Sequence, residues 1–146
     1  MKKLLVLSSL ALTVPSLALA AKPPSPGNSQ GTHGKSAPQV PYILKGTLSH
    51  YAAASGATNG QVTITIMHAN HHAKTLVNKQ SPVQLTIIVS STTKVHLHAS
   101  ATTITDGDSG VVKVRLPKST PAASLATALT TLPTVARQVI DQGPAS

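Results

Sequence analysis

Between residues 42 and 141, hydrophobic and polar positions alternate in short runs that turn-forming residues separate. The clearest run extends from Gln61 to Met67, where Val62, Ile64 and Ile66 alternate with threonines. Since successive side chains of a strand point to opposite faces, this pattern predicts a strand with one apolar face. Runs of the same kind predict five further strands, at residues 42–50, 83–89, 94–98, 111–116 and 134–141.

The turns and one helical segment complete this prediction. Asn59-Gly60 directly precedes the second run and indicates a hairpin between the first two strands. Gly46, in the middle of the first run, predicts a bend or a bulge. Alanine and leucine recur from Pro121 to Thr130 and predict a short helical connection. An all-β domain follows, and about 100 residues with six short strands favour a closed or partly closed barrel over a sandwich.

The segments that precede this domain have a different character. Met1, Lys2 and Lys3 are followed by an apolar run from Leu4 to Val14, and Ala18-Leu19-Ala20 comes next. This order predicts a secretory signal peptide at residues 1–20, because the apolar run is too short for a spanning helix of about 20 residues. Residues 21–40 are rich in Pro, Gly and Ser and predict a disordered leader. The barrel domain is then expected at 41–142, with a tail at 143–146.

Short motifs along the predicted strands resemble an exported bacterial family of OB-like small β-barrels of unknown function. The motifs are Gly46-Thr47-Leu48, Asn59-Gly60 with Val62–Ile66, Ser91–Val95, Asp106-Gly107-Asp108 before Val111–Val114, and Ala136–Ile140. The resemblance covers roughly residues 42–141 and implies a five- or six-stranded OB-like barrel. The family has no assigned catalytic residues, so the resemblance implies no activity.

The positive net charge of the chain limits the kinds of partner that we expect. Twelve Lys and Arg stand against three acidic residues, and removal of Lys2 and Lys3 with the signal peptide leaves ten against three, a charge of +7. Such a balance favours anionic surroundings, although the cations are scattered and form no run. Alternation turns Lys94, Lys113 and Arg115 outward, and we expect these three to contact an anionic polymer of the cell envelope. The protein is therefore expected in the periplasm, the cell wall or the medium, as a monomeric binding or structural module with no transmembrane segment after cleavage.

Histidine provides the alternative chemistry. Imidazoles chelate copper or zinc, and two groups lie at spacings that suit a surface site. The first group, His68, His71 and His72, falls in a polar loop at residues 67–74. The second group, His96 and His98, lies two residues apart on one face of the strand at 94–98. If the loop and the strand are neighbours, these side chains predict a copper or zinc site. The other interpretation is that they are solvent-facing polar residues.

The remaining residues give little support to an enzyme. No Gly-x-Ser-x-Gly elbow is present, and two of the three carboxylates share one turn, so a non-enzymatic module is expected. A small hydrolase stays open as a third class, and it would need Asp106 or Asp141 within hydrogen-bond reach of a histidine beside a pocket. Tyr42 and Tyr51 are the only aromatic residues, which does not favour nucleic-acid binding, and the absence of cysteine leaves the fold without disulfides.

Overall fold

A computed structural model describes residues 37–145, and the predicted signal peptide and most of the predicted leader lie outside these residues. The fold is all-β with short helical segments, as the alternation predicts. The six strands are β1 (Gln39–Ala52), β2 (Gly60–Ala69), β3 (Val83–Val89), β4 (Lys94–His96), β5 (Asp108–Pro117) and β6 (Ala136–Pro144). The helices are α1 (Leu125–Thr130) and two 3₁₀ helices, His71–Leu76 and Ala122–Ser124. No helix within 37–145 is long and apolar enough to cross a membrane.

All six strands belong to one sheet in the order β3-β2-β1-β5-β6-β4. Neighbouring strands run antiparallel, except that β4 pairs in parallel with β6. β1 and β2 form the expected hairpin. The two strands at the ends of this order, β3 and β4, are separated in sequence only by residues 90–93.

One face of the sheet forms the core, and period two predicts its members correctly. Val62, Ile64 and Ile66 of β2 are at most 1 % exposed. The same inward series continues along β3 and β5 with Leu85, Ile87, Val89, Val112, Val114 and Leu116. Leu125 and Leu129 of α1 pack into this cluster, so the predicted helical connection covers part of the core. Branched aliphatic side chains supply nearly all of the interior.

Gly46 lies at a bulge, as its position in the first strand predicts. The register between β1 and β2 shifts between Lys45 and Gly46, which leaves Met67 as an extra residue on β2. A Cβ atom at position 46 would overlap the carbonyl oxygen of Thr65, so glycine permits the close approach of the two backbones. Met67 is 52 % exposed, on the face that alternation assigns to it. The bulge instead affects His68, which uninterrupted alternation would turn inward and which is exposed.

Several boundaries differ from the prediction. β1 begins at Gln39, within the predicted leader, and β6 continues to Pro144, within the predicted tail. Residues 67–74, which are expected to form a polar loop, contain the end of β2 and most of the first 3₁₀ helix. The helix forms here because Ala73 and Leu76 are buried in the core. β4 ends at His96, two residues earlier than predicted.

Candidate functional site

The outer face of β4, β6 and β5 carries a row of polar side chains. Lys94 of β4 and Lys113 of β5 both pair with Gln138 of β6, which lies between them. Residues that are paired across a ladder point to the same face, so the two lysines flank the Gln138 side chain. Arg115 follows Lys113 by two residues and shares this face, and it is exposed. The three predicted polyanion contacts therefore lie together.

A bulge in β6 adds a fourth cation to this face. Lys113 pairs with Gln138, but Val114 pairs with Ala136, so Arg137 is an extra residue on β6. Bulges re-aim side chains, and Arg137 is exposed beside Gln138 instead of pointing into the core. Sequence reasoning did not assign Arg137 to the site. A local signal was present, because β6 does not alternate: two polar residues, Arg137 and Gln138, are followed by two apolar ones, Val139 and Ile140.

These four cations line a single shallow depression of about 510 Å³, which we call the cation groove. Lys94, Lys113, Arg115 and Arg137 contribute its charge, and Thr92 and Gln138 contribute neutral polar groups. Among the residues that the structure describes, no carboxylate lines the groove. It can therefore receive an anionic group but provides no acid or base of the carboxylate kind.

The acidic residues lie toward the opposite end of β5 and β6. Asp141 is three residues beyond Gln138 on β6, a separation of about 10 Å along a strand. Asp108 begins β5, and Asp106 precedes it in the adjoining turn. Within residues 37–145 the one ion pair joins Asp141 to His98, and none joins a carboxylate to Lys or Arg. The cations of the groove therefore have no internal counter-charge.

Each carboxylate holds nearby backbone. Asp106 Oδ1 accepts a hydrogen bond from the His50 N–H at 2.7 Å, and Asp108 Oδ2 accepts one from the Thr105 N–H at 2.9 Å. Asp141 Oδ1 accepts a bond from the Gly143 N–H at 2.8 Å. These contacts fix the turn before β5 and the end of β6.

The His98–Asp141 pair is a short hydrogen bond between two side chains. His98 Nδ1 lies 2.6 Å from Asp141 Oδ2, and the imidazole packs over Gly143. The Asp141 side chain has no exposed surface, whereas that of His98 is 32 % exposed. Burial by itself raises the pKa of Asp141, but hydrogen bonds from the His98 ring and from the Gly143 and His98 N–H groups outweigh it. The pKa of Asp141 is consequently lowered.

Asp108 completes a group of three possible metal ligands with this pair. One ligand atom from each of His98, Asp108 and Asp141 lies within 4.8 Å of the others. Both acidic residues are buried, and the exposed fraction of the whole residue is 4 % for Asp108 and 3 % for Asp141. The group has the donor types of a divalent-cation site, although Nδ1 of His98 already bonds to Asp141.

The other histidines of the predicted metal set do not join this group. His68 is exposed near the end of β2, and His96 is exposed on β4. His71 and His72 lie in the first 3₁₀ helix with their ring centroids 3.7 Å apart. Partial burial lowers the pKa of His72, and the nearby His71 and Lys118 lower it further. Because β4 ends at His96 and His98 turns toward Asp141, the expected shared strand face of His96 and His98 does not form.

The contact of Asp141 with His98 also bears on the hydrolase alternative. A carboxylate that orients an imidazole supplies two members of a nucleophilic triad. Within residues 37–145 the side-chain partner of the His98 ring is Asp141, and no hydroxyl is hydrogen-bonded to that ring. Tyr42, one of the two possible stacking platforms, is only 3 % exposed and belongs to the core.

Comparisons of the chain with protein-family models, with curated proteins and with solved structures found no match. The resemblance to exported OB-like barrels thus rests on the sequence motifs alone.

Proposed function

We propose that this protein is an exported, non-enzymatic binding module of the bacterial cell envelope that contacts an anionic polymer through Lys94, Lys113 and Arg115. The observation that carries the proposal is the cation groove, which gathers these three side chains with Arg137. No carboxylate pairs with a Lys or Arg in the described part of the chain, so the groove cations are available to an external anion.

Contacts of this kind are sensitive to salt. Each cation that replaces a condensed counterion adds about −0.7 to the slope of log K against log salt for a flexible single-stranded polyanion. Three contacts give a slope of about −2, so a tenfold rise in salt weakens binding by about a hundredfold.

Retention on an immobilised anionic polymer tests the proposal. The test variant combines Lys94→Gln, Lys113→Gln and Arg115→Gln. The control variant combines Lys45→Gln, Lys74→Gln and Lys79→Gln, three exposed cations outside the groove, and so removes the same net charge. The groove variant should elute at clearly lower salt than the control. Equal elution of the two variants, or retention of the wild-type protein unchanged at about 0.5 M salt, would contradict the proposal.

Metal binding is the second candidate, and the group of His98, Asp108 and Asp141 favours it. The adjacent His71 and His72 offer a smaller two-imidazole site. Titration with copper(II) or zinc at pH 7.5 and at pH 5.5 tests both sites, because imidazoles must be deprotonated to bind. Binding tighter than about 1 μM that weakens in acid and disappears in Asp108→Asn would support the three-residue site. Loss only in His71→Gln would assign the metal to the pair instead.

The architecture that we propose for this module is a small closed barrel. The short segment 90–93 links the two end strands of the sheet order and supports closure, since β3 and β4 must then lie near each other. A closed barrel has no free strand edge. Slow amide exchange in β3 and β4, comparable with that in the central strand β1, is the expected result, and fast exchange confined to both end strands would indicate an open sheet.

Export remains part of the proposal, with cleavage after Ala20. The mass of the protein recovered from outside the bacterial cytoplasm tests it, since a processed chain begins at Ala21. A full-length chain retained inside the cell would contradict it.

A further inference from the structure

Arg137 is the extra residue of the β6 bulge and lies close to Lys113 of β5, and no described carboxylate lines the groove that they share. The bulge sets Arg137 and Gln138 together against Lys113, and Lys94 lies on the far side of Gln138. Three cations from three adjacent strands thus surround one neutral amide. None of these cations is paired directly with another, but they share one face around Gln138, and no described carboxylate lines the groove to offset their mutual repulsion.

An anion would remove this repulsion, and its chemistry can be narrowed. A carboxylate offers two oxygens in one plane and a single charge. A phosphate group arranges its oxygens tetrahedrally. A group inside a polymer carries one charge on two unbridged oxygens, and a terminal group carries a charge of nearly −2 on three. A carboxylate has about four lone-pair sites, but all of them lie in one plane, whereas the Arg137 guanidinium, the Lys113 ammonium and the Gln138 amide come from two strands at a bulge. The tetrahedral oxygens of a phosphate are therefore the better match to these three donors.

We propose that the cation groove recognises phosphate groups of its polymer, and that Arg137 is the residue that distinguishes phosphate from carboxylate. This inference rests on the proposed function. It adds the class of the ligand and a fourth contact residue. The fork of the guanidinium binds two phosphate oxygens, whereas Lys113 and Lys94 act as point charges on either side of Gln138.

The experiment compares two probes, polyphosphate and poly-glutamate, matched in number of charges and measured by calorimetry in the same buffer. Wild-type protein should bind polyphosphate about tenfold more tightly than poly-glutamate. Arg137→Gln should lose this preference, and Arg137→Lys should keep the charge yet recover the preference only in part. Lys79→Gln is the matched control, since it removes one exposed charge away from the groove and should keep the full preference.

The possible outcomes separate the two proposals. Equal affinity of wild-type protein for both probes, with both weakened in the Lys94, Lys113 and Arg115 triple variant, overturns phosphate recognition and leaves the proposed function intact. Affinities that no groove variant changes overturn both proposals. Vesicles of anionic phospholipid and of neutral phospholipid distinguish the source of the phosphate. Tight binding to anionic vesicles without binding to polyphosphate would overturn the proposal that the ligand is a polymer. It would assign the groove to lipid headgroups instead.

Discussion

Replacing Asp141 by asparagine should destabilise the fold in a pH-dependent way. The wild-type carboxylate is buried and accepts bonds from the His98 ring at 2.6 Å, the Gly143 N–H at 2.8 Å and the His98 N–H at 3.4 Å. An asparagine retains one acceptor, which can serve Gly143, but presents a donor to the His98 side. One charge-assisted hydrogen bond and one long bond are lost.

The expected cost follows from these contacts. A hydrogen bond to a charged group contributes about 1.5–3 kcal/mol, and partial exposure of His98 places this one toward the lower part of the range. We expect Asp141→Asn to lower the free energy of unfolding by about 2 kcal/mol at pH 7. For a domain of this size that corresponds to a fall in Tm of about 10 °C.

The sign of the pH dependence is set by the lowered pKa of Asp141. Because the folded carboxyl has a pKa below its ordinary value of 3.8, its contribution is fully present above that pH and is lost as pH falls through the folded pKa. The difference in stability between wild type and Asp141→Asn should therefore shrink in strong acid.

Urea unfolding followed by circular dichroism at neutral and acidic pH measures this difference. Asp106→Asn is the control, since Asp106 is exposed and accepts a single backbone hydrogen bond, and it should cost less. The reasoning fails if the two variants are equally destabilised, or if the cost of Asp141→Asn does not decrease in acid.

Two further substitutions, each with a matched control, test the fold. Gly46→Ala should lower the free energy of unfolding by about 2 kcal/mol or more in thermal unfolding, because the added Cβ meets the Thr65 backbone. In the control Gly56→Ala the added Cβ meets no atom within 4 Å, so only the positive φ costs about 1 kcal/mol, and equal losses would argue against the bulge. Leu129→Ala should cost about 2–5 kcal/mol because Leu129 has no exposed surface, whereas Leu132→Ala, at a position that is 57 % exposed, should change stability by less than about 0.5 kcal/mol; a similar cost at both positions would show that α1 does not cover the core.

Period two was sufficient to locate β2, β3 and β5 with their inner residues, because burial of one sheet face selects for it directly. It could not locate the fourth groove cation. Arg137 reaches the outer face through a one-residue shift between β5 and β6, and register depends on the partner strand instead of on the strand's own sequence. Arg137-Gln138 followed by Val139-Ile140 breaks period two locally, but the break alone does not say which residue is extra.

The contact between His98 and Asp141 could not be predicted from the sequence pattern, for a different reason. The two residues are 43 positions apart, and alternation extended past His96 assigned His98 to the wrong neighbours. The first 3₁₀ helix was missed because its polar residues concealed the two buried anchors, Ala73 and Leu76. In each case the deciding interaction is made with a distant part of the chain.

The three carboxylates and the groove cations lie toward opposite ends of β5 and β6. All three carboxylates bind backbone N–H groups around the start of β5 and the end of β6. Gln138, which lies among the groove cations, is three residues or about 10 Å from Asp141 along β6, and this is about one Debye length at 0.1 M salt. Stability should therefore depend on the acids, and binding on the cations, with little coupling between the two. Asp141→Asn should leave the salt dependence of retention unchanged, and Lys94→Gln should leave the free energy of unfolding within about 0.5 kcal/mol of wild type. A mutual effect larger than this would mean that the acidic end and the groove act as one electrostatic unit, and the groove could then no longer be treated as an independent binding surface.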